Sequence, residues 1–210
     1  MTEAASVNRL DRRKARTRAS LIAAARELLA VRDPAEVSIQ EITDTADVGF
    51  GSFYNHFATK TDLFDAAVQQ VLEEHGALFD VITEGIEDPA EVFAASLRMT
   101  ARLPKTHPQM ASIIERTGMS YLIEPDGLAP RAMRDLQRAR QAGRFEIDDP
   151  MVALACTAGA LLGVLHLSTI NTKPAAIDRA SNELARNLLR MFGVPSDEAR
   201  EIAFRKLPRP

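Results

Sequence analysis

Val37-Ser38-Ile39-Gln40-Glu41-Ile42, then Ala46-Asp47-Val48-Gly49-Phe50-Gly51-Ser52-Phe53-Tyr54-Asn55-His56-Phe57, then Lys60, is the stretch that decides the fold. Ser38 and Glu41 have capping-box spacing: the hydroxyl accepts from the Glu41 amide and the carboxylate reaches back to the Ser38 amide. Val37 and Ile42 stand at the staple positions around that cap. The spacing predicts a short helix from Ile39 to Ala46, a tight turn with Gly49 and Gly51 flanking its exit, and a second short helix over Gly51–Phe57. That second helix is polar and aromatic where a core helix is aliphatic. Two short helices joined by a tight turn form the geometry that lays one helix in a DNA major groove.

Working outward, the residues before the stretch are helical. Leu21, Ile22, Ala25, Leu28 and Leu29 recur at helical spacing between Arg12 and Val31, and Asp33-Pro34 ends the run. After it, Thr59 with Asp62 forms a second capping pair. A long helix from Lys60 to about Glu84 follows, with Phe64, Ala67, Val68, Val71 and Leu72 as its apolar stripe. Asp88-Pro89 opens a helix to about Lys105, and His107-Pro108 opens another to about Thr117. Residues 118–127 read as a loop. A charged helix from Pro130 to Ala142 closes at Gly143, which takes the C-cap position. Asp149-Pro150 opens a strongly apolar helix to Ile170, Pro174 opens the next, ending at Gly193, and a last helix covers Ser196–Phe204. No β-alternation of useful length appears, so the fold class is all-α.

The composition excludes several classes. In 210 residues, 46% hydrophobic and 26% charged, there is enough apolar material for a real core. The single cysteine, Cys156, rules out an internal disulfide and any CxxC metal site. There is no GxSxG, P-loop, dinucleotide glycine fingerprint or HExxH, and His56, His75, His107 and His166 are scattered without ligand spacing. The chain therefore reads as no enzyme, with no cofactor and no metal. The polar N-terminus lacks an apolar signal region, and with one cysteine a reducing cytosol is the expected compartment. Charge is unevenly spread: six arginines and lysines against two acids give residues 1–18 a net charge of +4, and since the whole chain carries −3, the remainder carries −7. A basic end on an acidic body suits a protein that meets phosphate at one end only.

Met151–Ile170 carries no Asp, Glu, Lys or Arg and contains Gly159-x-x-x-Gly163, so by length alone it passes as a membrane span. Its alanine-rich first half, the polar His166, Ser168 and Thr169 near its end, and its being the only such segment favour a soluble helix buried on two sides.

Taken together, Tyr54-x-His56-Phe57-x-x-Lys60-x-x-Leu63, preceded by Ala46-x-Val48 and the Ser38–Ile42 helix, resemble the tetracycline-repressor (TetR) family of bacterial transcription regulators. The motif coverage is about residues 12–65; the downstream half matches only in its layout of helices. Phe50 departs from the polar residues common at its position. The resemblance implies an N-terminal three-helix helix-turn-helix domain (residues 12–59, after a flexible arm, residues 1–11) and a C-terminal ligand-binding and dimerisation domain (residues 60–210). It implies DNA contacts from Gln40, Phe50, Gly51, Ser52, Tyr54, His56 and Lys60, and the residue chemistry permits them. Ser52 can meet a base edge, Phe50 a thymine methyl, and Tyr54, His56 and Lys60 phosphate. Arg13 and Arg16 of the basic arm add salt-dependent backbone contacts. Singly, Tyr54 and His56 would read as an ordinary surface pair; in register they read as DNA contacts.

The resemblance also implies an effector pocket among the middle helices, with Phe93, Leu97, Met99, Leu103, Met110, Ile114, Met119 and Tyr121 as its candidates. Taken one by one, these residues equally suit plain core packing. Arg98, Arg102, His107 and Arg116 share those helices, and one of them facing inward would meet a ligand carboxylate. Homodimerisation is implied through helices 151–170 and 174–192, which would set two recognition helices ~34–36 Å apart on a palindromic double-stranded operator. The expected function is a repressor that leaves its operator when a small apolar ligand binds. A ligand-responsive activator and a regulator without ligand are the alternatives.

Overall fold

The computed structural model describes residues 9–123 and 129–207, with the side chains of 117 and 120–123 outside that description. Among the described residues there are eleven α-helices and no strand. They are α1 (Arg9–Leu29), α2 (Ile39–Thr45), α3 (Phe50–Tyr54), α4 (Lys60–Ile82), α5 (Pro89–Ala101), α6 (Leu103–Thr106), α7 (Pro108–Ile123), α8 (Ala129–Gln141), α9 (Pro150–Ile170), α10 (Pro174–Met191) and α11 (Ser196–Phe204). The chain divides into two compact units, residues 1–70 and 71–210, with the break inside α4.

The first unit is held by local caps around a small core. The Glu41 amide donates to Ser38 Oγ at 3.2 Å and the Ser38 amide to Glu41 Oε2 at 2.9 Å, so both halves of the capping box form. The Ser38 contacts and the Arg32 guanidinium hold the Glu41 carboxyl well down, at about 2. Thr59 and Asp62 repeat the device at the start of α4, with 2.9 and 3.1 Å bonds. Leu21, Ile22, Leu29, Val37, Ile42, Phe53, Phe57 and Leu63 are buried. Between α1 and α2, Asp33 caps a short 3-10 turn, Pro34–Glu36, by accepting from the Ala35 amide.

Two expectations are corrected here. The strained residue of the α2–α3 turn is Asp47 (φ 52°), while Gly49 has an ordinary φ of −65°. An aspartate tolerates the left-handed region better than most side chains, so no glycine is needed there. The basic cluster is helical from Arg9 on, because α1 starts three residues before Arg12.

In the second unit α9 is the central helix. It packs against α5, α7, α8 and α10, and buries Ala153, Leu154, Thr157, Ala158, Leu161, Leu165 and Ser168. It is the one helix among the described residues long and apolar enough to cross a membrane. Asp149 caps it by accepting from the Met151 amide at 2.8 Å, and Asp88 caps α5 through the Ala90 amide at 2.9 Å. A T-shaped aromatic contact, Phe93 to Phe145 at 5.3 Å, and a tilted one, Phe145 to Phe192 at 5.2 Å, close the core near α11.

The predicted helix from Asp88 to Lys105 is two helices, broken at Arg102. Pro104 has no amide proton to give the Thr100 carbonyl, so the ladder must restart. Residues 118–123 of the predicted loop are instead the end of α7, which runs to Ile123 across a break at Gly118 (φ 69°, ψ −152°), and residues 124–127 of it lie outside the described residues. Only glycine adopts that conformation without strain, and the helical pattern on either side hides it.

Candidate nucleic-acid interface and effector cavity

In the first unit, α3 turns one aromatic inward and the others out. Phe53 is 0% exposed, whereas Phe50 and Tyr54 are 47% and 55% exposed. The three rings still touch: Tyr54 stands edge-on to Phe53 at 5.2 Å and to Phe50 at 5.9 Å. The buried ring therefore anchors an exposed aromatic pair whose orientation is fixed by the core. Gly51 lies on the same exposed turn, and a Cβ there would meet nothing within 4 Å. Nothing in the unit itself requires Gly51 to be small. Ser52 is half-buried beside it.

The remaining candidates surround α3. Gln40 is exposed in the first turn of α2, its amide donating to Asp44 Oδ1 at 2.7 Å. His56 follows the C-terminus of α3, half-buried. Burial first, then the Lys14 and Arg18 charges, depresses its pKa. Arg18 stacks over the Phe57 ring at 4.9 Å, which ties the basic face of α1 to the end of α3. Arg13 and Arg16 are exposed on that helix. Lys60 lies at the start of α4, and its ammonium donates to the Val37 carbonyl at 2.6 Å and the Ala35 carbonyl at 3.4 Å. It thus staples the turn before α2 to the start of α4, a structural role that sequence reading did not assign.

In the second unit, residues of α4, α5, α8 and α9 enclose a cavity of about 90 Å³. That volume is below the about 150 Å³ of an engineered cavity that admits benzene, so a single ring is the upper limit of what fits without the walls moving. Of the candidates, Phe93 and Leu97 line it, while Met99, Leu103, Met110, Ile114 and Met119 are not among its lining residues. Leu103 and Ile114 are buried core, and Met119 is partly exposed on α7. The Tyr121 side chain lies outside the described residues. Phe79, Leu154, Ala158 and Leu161 add apolar wall.

One side of the cavity is polar, and sequence reading missed it. Arg131 donates to Glu73 Oε1 at 2.9 Å and Oε2 at 3.1 Å, and through Nε to Asp80 at 3.2 Å. Arg134 donates to Asp80 Oδ1 at 2.9 Å and to Asp135 Oδ1 at 3.2 Å. Asp80, Arg131, Arg134 and Asp135 all line the cavity. Asp135 is only 7% exposed, and burial raises its pKa. On the lining itself two guanidiniums face two carboxylates, and Glu73 behind them takes two more of the Arg131 bonds. Thr83, Thr100 and Thr157 also line the wall, but their hydroxyls donate to backbone carbonyls of their own helices.

The cations weighed from sequence point elsewhere. Arg98 donates to Asn182, and Arg102 to Ser181 and Asn182, both across to α10. Burial pulls the Arg98 pKa down to about 10. Arg116 is exposed, and His107 bonds its neighbour Thr106 at 3.1 Å. His75, next to the lining residue Gly76, is fully buried and hydrogen-bonds Thr100 Oγ1 at 3.1 Å. Burial, followed by the His107 and Arg131 charges, pushes its pKa to about 3, so it stays neutral.

The first unit has the elements of a helix-turn-helix head: a capped helix, a tight turn, and a second helix with an exposed aromatic and polar face. A family model described as "Bacterial regulatory proteins, tetR family" matches residues 21–67. A second, "Tetracyclin repressor-like, C-terminal domain", matches residues 88–205. RolR solved without ligand is 36% identical, with TM-score 0.73, and the match covers 91% of this chain and 98% of that one. RolR in complex with resorcinol is 35% identical, with TM-score 0.69, covering 94% and 98%. The "Probable acrEF/envCD operon repressor" of Escherichia coli K12 is 24% identical over 84% of this chain and 87% of its own. The chain belongs to the TetR family. It is a DNA-binding transcription repressor with a C-terminal ligand-binding domain.

Proposed function

We propose that this repressor binds a palindromic operator as a homodimer in the cytoplasm and is released by a neutral, single-ring aromatic alcohol bound in the cavity of the second unit. The observation that carries the ligand class is the composition of the cavity's polar side. Its guanidiniums are already paired with carboxylates, so a ligand carboxylate would have to compete with Asp80, Asp135 and Glu73 for them. A phenolic hydroxyl suits it: the O–H donates to Asp135 or Asp80, and the oxygen accepts from a remaining guanidinium N–H. Phe79, Phe93, Leu97 and Leu161 would hold the ring. RolR, 35% identical over 94% of this chain, is described with resorcinol, a ring carrying two such hydroxyls.

The DNA contacts in this reading are Phe50, Gly51, Ser52 and Gln40 toward the bases, and Tyr54, His56, Lys60, Arg13 and Arg16 toward phosphate. The dimer forms through α9 and α10. Met151, Val152, Leu167 and Ile170 leave an apolar strip of α9 exposed, and Ala155 and Gly163 on that strip let a second helix approach closely. Ligand that favours one spacing of the two heads weakens operator binding by the same factor that operator weakens ligand binding.

The test is a fluorescence-anisotropy titration of operator DNA, taken from the region flanking the gene, with resorcinol and benzoate added separately. Resorcinol should release the DNA at concentrations where benzoate does not. Release by benzoate alone would reverse the assigned ligand class.

A further inference from the structure

Gly76 lies inside the C-terminal half of α4 with ordinary helical backbone, as it is not among the glycines of positive φ. A helix interior disfavours glycine relative to alanine, and the backbone here gives it no compensating role. Its surroundings do. A Cβ at this position would stand 2.4 Å from Cζ of Arg131 and 2.5 Å from both Nε and Nη1. Glu73 and Asp80 lie three residues before it and four after it, on the same face of α4. The guanidinium lies flat across the bare backbone of Gly76, bidentate to Glu73 on one side and bonded to Asp80 on the other. Gly76 and Arg131 both line the cavity.

We propose that Gly76 is a positioning residue of the effector site: by presenting no side chain it keeps open the channel in which the Arg131 guanidinium lies, and so holds Arg131 at the cavity wall. This rests on the reading of that cavity as the effector site. A methyl at position 76 would lift the guanidinium off the helix. The far end of an arginine moves at little cost to the fold, but it could not then span Glu73 and Asp80 together. The alanine variant is therefore expected to fold normally and to lose a ligand-binding geometry, not stability.

The experiment uses the full-length chain as wild type, Gly76→Ala, Arg131→Ala and the double variant. Resorcinol binding is measured by calorimetry and melting by differential scanning. Gly76→Ala should bind resorcinol at least tenfold more weakly while melting at or above the wild-type temperature, and the double variant should bind no worse than Arg131→Ala alone. Wild-type affinity in Gly76→Ala, or a double variant weaker than Arg131→Ala by the full Gly76→Ala factor, would overturn the proposal. So would a Gly76→Ala chain that melts lower or fails to fold, because the glycine would then serve helix packing. A second readout needs no ligand. The Arg131 guanidinium depresses the Glu73 pKa, and carbon NMR should show that titration moving up in Gly76→Ala. An unmoved Glu73 titration overturns the role of Gly76. If wild type itself binds no resorcinol, the assigned ligand class fails, and the Glu73 titration still decides the role of Gly76.

Discussion

Tyr54→Phe isolates the one chemical group on which the phosphate assignment depends. The phenol ring packs edge-on to Phe53 and Phe50, and Tyr54 is more than half exposed. Tyr54→Ala would remove the hydroxyl and also two aromatic contacts worth about 0.5–1.5 kcal/mol each beyond area. A binding loss in that variant would mix recognition with disorder in α3. Phenylalanine keeps the ring and both contacts. What remains is the loss of a hydrogen bond to a charged phosphate, about 1.5–3 kcal/mol net. A dimer makes the contact twice, so the operator complex should weaken by about 3–6 kcal/mol, roughly 10²- to 10⁴-fold in Kd. The assay is fluorescence anisotropy over a range of salt concentrations, with thermal melting as the control. The hydroxyl is uncharged, so the slope of log Kd against log salt should stay the same while the intercept shifts. Tyr54→Phe binding within twofold of wild type, with Tyr54→Ala far weaker, would refute the reasoning. Tyr54 would then act through ring packing, and the phosphate contact would belong elsewhere.

Phe53→Ala should destabilise the first unit by about 3–5 kcal/mol, since it empties a fully buried ring site; hydrogen exchange should show protection lost in α1–α3, together with operator binding. Burial first, and then the Lys14 and Arg18 charges, lower the His56 pKa in the free protein. Phosphate raises that pKa, so DNA binding takes up a proton and should tighten as pH falls from 8 toward 6; His56→Gln should flatten the profile, and an unchanged slope would remove His56 from the interface. The same depressed pKa means that charging His56 without DNA opposes folding, so free-protein stability should fall as pH drops below the ordinary histidine range. Asp135→Asn replaces a buried charged acceptor with a neutral one and should weaken resorcinol binding about tenfold, roughly 1.4 kcal/mol; equal affinity by calorimetry would place the phenol elsewhere.

Features local in the chain were legible before the structure. The Ser38–Glu41 and Thr59–Asp62 pairs and the Asp88 and Asp149 caps are set by groups two or three residues apart, so residue type and spacing suffice. The last three helices, α9–α11, match the predicted ranges to within two residues for the same reason, each opening at proline or serine, with α10 ending just before Gly193 and α9 and α11 at an apolar-to-polar break. Where backbone chemistry ran against the pattern, the reading failed: Asp47 took the strained turn, Pro104 cut a helix in two, and Gly118 broke another without ending it.

The sequence by itself determined the helical class, the capped head and the face of α3 turned outward, because each follows from contacts within one or two turns of chain. Only the tertiary structure decided which charges share the cavity. Asp80 and Arg131 are 51 residues apart, and helical spacing says which face a residue occupies without saying what that face meets. Arg98 and Arg102 looked equally suited to the cavity, yet the packing of α5 on α10 turns them toward Asn182 and Ser181. The packing of α8 on α5 and α9 instead brings Arg131, Arg134 and Asp135 to the cavity wall. Packing between elements distant in sequence chose the cavity's polar groups, and with them the ligand chemistry it can accept.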